Sequence, residues 1–486
     1  MDAATAPVCL IWLRQDLRLS DHAPLAHAIK EGWAPVLVYL HAPEEEGAWA
    51  PGGASQWWLH HALADLSRQS RHHGLPLLLR RVRSTSLQTL TELVGETGAQ
   101  AVLWHRRYEP AAIARDTLIK DSLRIQGVTA QSFAGFGLGE PANVRNLAGK
   151  PFQVFTPFWK NQLKSQVPLL SAIDWSALQA PRVTPRSEAL DDWGLLPQQP
   201  WAGAMEKFWE PTRAGAEARL KQFAAGPASH YKTLRDRPDE DGTSRLSPWL
   251  HFGQISPREV WHALSDGNGQ HPANLAEGVI RQLWWREFAL HLLVHFPNTP
   301  VEPLRPEFAH FPWRRDDALL TAWQQGRTGY PIVDAGMRQL WSLGWMHNRV
   351  RMIAASFLVK HLLQPWQEGA LWFWDTLVDA DLANNTLGWQ WTAGCGADAA
   401  PYFRVFNPVL QGRKFDPEGA YVRQWLPEIA ALPTALIHEP WTATDLDWRA
   451  AGLQRGQSYP DPIVGLTEGR DRALSAYQEL KNLTSS

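Results

Sequence analysis

Between Val8 and Phe133 the chain alternates short apolar runs with longer amphipathic stretches, and this alternation restricts the fold more than any other feature. Val8–Leu13, Pro35–Leu40, Leu75–Val82, Ala101–His105 and Thr129–Phe133 read as strands. Ala23–Lys30, Gln56–His73, Leu87–Gly95 and Pro110–Leu123, lying between them, read as helices. Strands separated by helices pair in parallel through right-handed crossovers and are covered on both faces. A Rossmann-like α/β domain is therefore expected over residues 1–133. Residues 134–212 are rich in Pro, Gly, Trp and Ser and show little periodicity, as a connector wrapping the surface would.

From residue 213 to residue 486 the pattern is helical. Ser247-Pro248 and Ser256-Pro257 each place a serine N-cap before a proline, and Ser256 with Glu259 makes a capping box. The runs Asn274–His295 and Gly336–Leu363 carry apolar residues at helical spacing, and Arg470–Asn482 reads as a last amphipathic helix. The second domain should thus be all-helical.

Composition narrows the function classes. At 486 residues the chain can fill two large domains. A net charge of −2 gives no global attraction to a polyanion, so any nucleic-acid surface must be a local basic patch. Cys9 and Cys395 stand in no CxxC or CxxH spacing, which argues against a disulfide framework or a zinc site and fits a reducing cytoplasm. The N-terminus has no signal-peptide pattern, and no stretch of about 18 apolar residues is available to span a membrane. GxGxxG after the first strand, GxxxxGK[ST] and GxSxG are all absent. The pairs His60/His61 and His72/His73 lack carboxylates or cysteines at ligand spacing and read as helix-surface histidines. Chemistry, if present, belongs to a bound cofactor. The 27 tryptophans can fill cores, and indoles also stack on planar rings and relay electrons.

Five constellations in the helical half carry polar groups where a plain core stripe would not. Thr243-Ser244-Arg245-Leu246-Ser247-Pro248 clusters hydroxyls before a proline-initiated helix, suited to N-capping or to phosphate binding. Gln282, Trp285 and Arg286 share one helix face, as do Trp345, Asn348, Arg349 and Met352, with Arg351 beside them. Asp379, Asp381 and Asn385 sit in apolar sequence before Trp389 and Trp391, and Arg351 is a natural partner for these carboxylates. Arg404 lies between aromatics in PYFRVFN, which suits phosphate contact with base stacking.

Taken in order, IWLRQDLRLSDHAPL, TSRLSPWLHFGQIS, WWREF, GYPIVDAGMRQL, GWMHNRVRM, DADLANN and GADAAPYFRVFNP resemble the DNA photolyase/cryptochrome family over essentially the whole chain. GGASQWWLHHAL and the sequence near Trp389 resemble the bacterial branch nearest plant cryptochromes. The resemblance implies a C-terminal helical domain holding a folded FAD, active as FADH−. It implies that Tyr231, Thr243, Ser244, Arg245, Leu246 and Ser247 hold the diphosphate and ribityl chain. Gln282, Arg286, Trp345, Asn348, Arg351, Asp379, Asp381 and Asn385 would surround the rest, with Asn385 beside flavin N5. The implied activity is blue-light splitting of cyclobutane pyrimidine dimers in UV-damaged DNA by a monomer, through electron transfer to a flipped-out dimer. Gln282, Trp285, Asn348, Met352 and Trp391 would face the dimer, while Arg349 and Arg404 would take phosphates. Trp389, Trp366 and Trp313 match the family's electron relay; the family pattern is read here with Trp366 nearest the flavin, Trp389 in the middle and Trp313 at the surface.

Two departures bear on function. Dimer-repairing members usually carry glutamate where this chain has Gln282, and His22 replaces an asparagine with no evident consequence. An antenna of folate or deazaflavin type is implied near the domain interface; Glu109 could match a folate contact, and antenna residues stay unassigned. A second reading, a cryptochrome-like photoreceptor with little repair, rests on Gln282 and the likeness to plant cryptochromes. Asn385, where plant cryptochromes carry aspartate, and the dimer-facing set favour repair.

Overall fold

The computed structural model describes residues 6–182, 184–265, 277–402 and 404–484. The start of the helical run expected from Asn274, and Phe403 within PYFRVFN, lie outside the described residues. All five expected strands form: β1 (Val8–Leu13), β2 (Ala34–His41), β3 (Leu77–Arg81), β4 (Ala101–His105) and β5 (Thr129–Phe133). They make one sheet in the order β3-β2-β1-β4-β5, with every pairing parallel. Every residue of β1 and β4 is buried, because helices cover both faces of a parallel sheet. The covering helices are Ala23–Lys30, Gly53–His72, Ser86–Thr97 and Pro110–Ile125.

The segment 134–212 pairs with the sheet. It carries the helices Phe155–Gln162 and Gly203–Phe208 among short turns, and it closes the open edge of β3. The Leu79 amide donates to the Ser187 hydroxyl at 2.9 Å, and the Glu188 amide donates to the Leu79 carbonyl at 3.1 Å. An exposed strand edge is thereby paired within the chain.

The loop after β1 latches the sheet onto the helical half. The Leu17 amide donates to the Phe252 carbonyl at 3.0 Å, and Arg18 donates to the Gly253 carbonyl at 3.0 Å. Gly253 has φ 65°, and a Cβ there would overlap the Gln15 carbonyl, so this crossing requires glycine. The Asp21 carboxylate accepts from the Ser256 hydroxyl at 2.6 Å and pairs with Arg258 at 2.8 Å. His22 does have a consequence. Its Nδ1 accepts from the Leu25 amide at 3.3 Å and caps the helix Ala23–Lys30, while Nε2 lies 3.1 Å from Asp16. His105 Nδ1 approaches the same Asp16 oxygen at 2.8 Å. The three ligand-type atoms lie within 4.8 Å of one another, a spacing that metal ligands also show. A His22 that accepts through Nδ1 carries its proton on Nε2, however, so the group is a buried carboxylate taking two hydrogen bonds. Burial alone would raise the Asp16 pKa, but the hydrogen bonds from His105 and His22 hold it well below the usual range.

The helical half departs from expectation at three points. Ser256 forms the full capping box with Glu259, but Ser247 does not cap. The helix Ser247–His251 has Leu246 at its N-cap position, because the turn closes earlier, where the Ser244 hydroxyl accepts from the Leu246 amide at 3.4 Å. The run Gly336–Leu363 is not continuous. It breaks into Pro331–Leu343 and Asn348–Ser356, since Gly344 adopts φ 63° and ends the first helix. Trp345 therefore lies in the joining loop and not on the face shared by Asn348, Arg349 and Met352. The last helix runs Leu466–Thr484, and among the described residues no helix is long and apolar enough to cross a membrane.

Glu259 joins three segments: its carboxylate accepts from Ser20 at 2.9 Å, from Arg213 at 2.7 and 3.0 Å, and from the Ser256 amide at 2.7 Å. Burial favours the protonated form, yet the Arg213 hydrogen bonds and charge win and bring its pKa down from 4.5 to about 2. A depressed carboxylate stabilises the fold above its ordinary pKa and loses that contribution as pH falls from 4.5 toward 2. Urea midpoints measured across that range should fall more steeply for the native chain than for Glu259→Gln; parallel curves would show that Glu259 contributes nothing there.

Candidate active site

One wall of the site is the turn 241–247, and an arginine that the sequence does not flag holds it. Arg219, on the helix Arg213–Ala225, donates to the Thr243 and Ser244 carbonyls at 2.6 and 2.8 Å and makes two bonds to Asp241 at 2.7 and 3.0 Å. So pinned, Arg245 takes a left-handed φ of 52°, pairs with Asp241 at 3.2 Å and lies 5.6 Å over the Trp345 ring. Thr243 and Ser244 are half-buried and Ser247 is exposed, so these hydroxyls remain available. Tyr231 is buried against the helix Glu277–His295, where a Cβ on Gly278 would come within 3.2 Å of its ring.

A second wall is electrostatic. Arg351 Nε donates to the Met346 carbonyl at 2.7 Å, and its Nη2 donates to the two Asp379 oxygens at 2.9 and 3.1 Å, the pairing expected from sequence. With the Asp379 side chain only 4 % exposed, loss of either partner would strand a buried charge. Asp381 caps the helix Leu382–Ala393 by accepting from the Asn384 amide at 2.8 Å and side chain at 2.6 Å. Buried His251 lies within the field of Asp381 and Asp379; burial lowers its pKa, and these carboxylates pull the other way. Asn385 donates through Nδ2 to the Ala370 carbonyl at 3.0 Å, which fixes its amide plane.

Two of the three tryptophans, Trp389 and Trp366, stand on neighbouring helices. Trp389 lies one turn beyond Asn385 on Leu382–Ala393, and its indole packs so tightly on Gly369 that a Cβ there would overlap it. Gly369 is three residues along the helix Trp366–Thr376 from Trp366. The segment before Trp366 is bonded to the neighbours of Trp313: the Arg314 amide donates to the Leu363 carbonyl, and Gln364 donates to the Asp316 carbonyl, both at 2.9 Å. Counted from Asn385, the order of neighbours is Trp389, Trp366, Trp313, which exchanges the first two places of the expected order. The reason is that Trp389 stands on the same helix as Asn385, one turn on, while Trp366 stands on the neighbouring helix. Trp389 and Trp366 are buried at 2 % and 1 % exposure, while Trp313 is half-buried.

The third wall is the helix Glu277–His295. Among the described residues Gln282 makes one long hydrogen bond, 3.4 Å, to the Gly278 carbonyl. Trp285 stacks on Phe155 of the connector with centroids 3.8 Å apart and planes within 6°. Arg286 donates to the Phe136 carbonyl at 2.9 Å. Asn348 is exposed and its amide lies 3.9 Å from the Met352 sulfur. Arg349, expected to take a phosphate, is committed internally: it pairs with Asp236 at 2.9 Å and lies 4.5 Å over Phe415. Arg404 is exposed, and buried Lys360 holds its backbone by donating to the Tyr402 and Arg404 carbonyls at 3.0 and 3.1 Å. Trp391 is half-buried. Glu109 is bound by Arg107 at 2.9 Å.

The site suits a large polar cofactor. Arg245 Nε, Arg286 Nη2 and His251 Nδ1 are buried with no hydrogen-bond partner among the described residues, and buried donors of this kind call for one. Residues 279–479 match the family model described as the FAD binding domain of DNA photolyase, and residues 9–177 match the model described as DNA photolyase. A deoxyribodipyrimidine photo-lyase from Agrobacterium fabrum is 46 % identical over 485 residues, covering 100 % of both chains. The chain belongs to the DNA photolyase/cryptochrome family. Cryptochrome-1 of Arabidopsis thaliana is a 37 % identical member over 98 % of this chain and 71 % of its own length. Among solved photolyase structures, a bacterial class III photolyase from Agrobacterium tumefaciens superposes with a TM-score of 0.92 at 44 % identity, covering 99 % of each chain.

The close approach at Gly369 gives a direct test of this geometry. Gly369→Ala should destabilise the protein by about 1–3 kcal/mol, because overpacking outweighs the helix propensity that alanine adds. An unchanged urea midpoint would mean that the indole has room to move.

Proposed function

We propose that this chain is a deoxyribodipyrimidine photo-lyase that uses bound FAD and blue light to split cyclobutane pyrimidine dimers in UV-damaged DNA. The observation that carries the reading is the Trp285 indole, held flat by Phe155 at 3.8 Å beside Gln282. A rigid, half-buried ring of this kind is a ready stacking platform for a base turned out of the duplex. A signalling photoreceptor has no need of one.

In this reading residues 213–486 are the catalytic unit, 134–212 the connector and 1–133 the antenna domain, and the protein works as a monomer in the cytoplasm. Thr243, Ser244, Arg245, Leu246, Ser247 and Tyr231 hold the diphosphate side of FAD. Arg286, Trp345, Asn348, Arg351, Asp379, Asp381 and Asn385 surround the remainder. Bound there in its reduced form, FAD would supply light-driven electron donation to the dimer. Asn385, tied to Ala370, presents an amide that can hydrogen-bond without offering an acidic proton. Trp285 and Trp391 pack against the dimer, Asn348 and Met352 complete its cavity, and Arg404 meets the backbone. Gln282 offers an amide where a carboxylate would steady developing charge. Trp389, Trp366 and Trp313 pass electrons inward from the surface to reduce an oxidised cofactor.

The photoreceptor reading keeps one specific support, the weakly held Gln282. One experiment separates the two: blue light on the reduced protein with an oligonucleotide bearing a single thymine dimer. Restored thymines establish the lyase, and no repair with intact flavin photoreduction establishes the receptor. Trp285→Ala should weaken binding of the damaged oligonucleotide by about 1–3 kcal/mol, measured by titration. Gln282→Glu should raise the repair yield per photon, and an equal yield would show the amide to be no handicap. Trp313→Phe should slow photoreduction of oxidised flavin while pre-reduced enzyme still repairs; loss of that repair would remove Trp313 from the relay.

A further inference from the structure

We infer that Arg281 is a further DNA-phosphate contact, held ready on an aromatic shelf that the connector supplies. The inference rests on the lyase reading only for the direction from which DNA arrives. Arg281 precedes Gln282 on the helix Glu277–His295 and is half-buried. Its guanidinium carbon lies 4.8 Å from the Trp159 ring centre and 5.4 Å from that of Phe155. Those two rings are themselves parallel within 8°, and Phe155 stacks in turn on Trp285. Guanidinium, phenyl and indole thus form one layered unit, in which Phe155 fixes both the charge and the base platform.

Among the described residues Arg281 has ring contacts but no hydrogen bond or ion pair. Other arginines of the helical half differ. Arg286 donates to Phe136, Arg349 is paired with Asp236, and Arg305 with Glu307. Asp398, whose carboxylate feels the Arg281 charge, accepts from the Phe155 amide at 3.4 Å and is not within ion-pair distance of Arg281. A guanidinium presents five donors in a planar fork that matches phosphate, and stacking restricts its motion so that less freedom is lost on binding. A nucleotide turned out of the duplex towards Trp285 brings its flanking phosphates to the rim of the cavity, where Arg281 stands next to Gln282. Phosphate contacts position without reading sequence, so the effect should not depend on the lesion itself.

The test is the salt dependence of DNA binding by the flavin-loaded protein, on duplexes with and without one thymine dimer. Arg281→Gln should flatten the slope of log affinity against log salt by about 0.9 on both duplexes, the loss of one phosphate neutralised. Arg281→Lys should keep most of the slope while binding less tightly, since the charge remains and the stacked fork is gone. Trp159→Leu should weaken binding in the native background but not in Arg281→Gln, because it acts through the guanidinium. An unchanged slope in Arg281→Gln, with native flavin absorbance and melting, overturns the inference. If the unmodified chain shows no preference for the damaged duplex, the lyase reading falls instead, and the slope on undamaged duplex still decides Arg281.

Discussion

At Gly369 the helix Trp366–Thr376 comes so close to the helix Leu382–Ala393 that only glycine leaves room for the Trp389 indole. This approach sets the positions on which the site depends. It brings the Ala370 carbonyl to the Asn385 amide, seats the Trp389 indole on Gly369, and leaves Asp381 to cap the second helix. Asp379 then meets Arg351 across the junction, and Arg351 ties the Trp345–His347 loop to the same wall. One close packing contact therefore bears on the Asn385 amide, the Trp389 indole and the Arg351–Asp379 pair together.

The α/β half contributes by being held, not by supplying groups to the site. Its latch is polar and buried: Arg18 on Gly253, Asp21 on Ser256 and Arg258, and Glu259 shared by Ser20 and Arg213. Such contacts are directional, and each leaves an unpaired buried group if the partner is lost, so they fix one docking geometry. The connector extends this by closing the edge of β3 at one end and stacking Phe155 on Trp285 at the other. A segment with little regular structure thus shapes the wall that carries Trp285.

Much of this was legible in sequence. Strands buried on both faces write continuous apolar runs, which is how β1, β2 and β4 are legible, and no strand end lies more than two residues from its expected place. The site residues stood out because Arg351, Asp379 and Asn385 are polar groups set in apolar surroundings. What the sequence hid was long-range. Arg219 acts on backbone carbonyls far along the chain, and nothing in its own neighbourhood marks it. His22 looked inert because its partners Asp16 and Leu25 show their role only once the helix start is folded. Apolar spacing continued across Gly344, so the break there was invisible until φ revealed it. The order of the tryptophans followed from which helix lies against which.

That order is the sharpest consequence of the helix pair, and time-resolved fluorescence of the oxidised flavin tests it. If Trp389 is the first donor, Trp389→Phe should lengthen the flavin emission lifetime markedly. Trp366→Phe should leave the initial quenching fast and shorten only the life of the separated charges. A long emission lifetime in Trp366→Phe with fast quenching retained in Trp389→Phe would contradict the account.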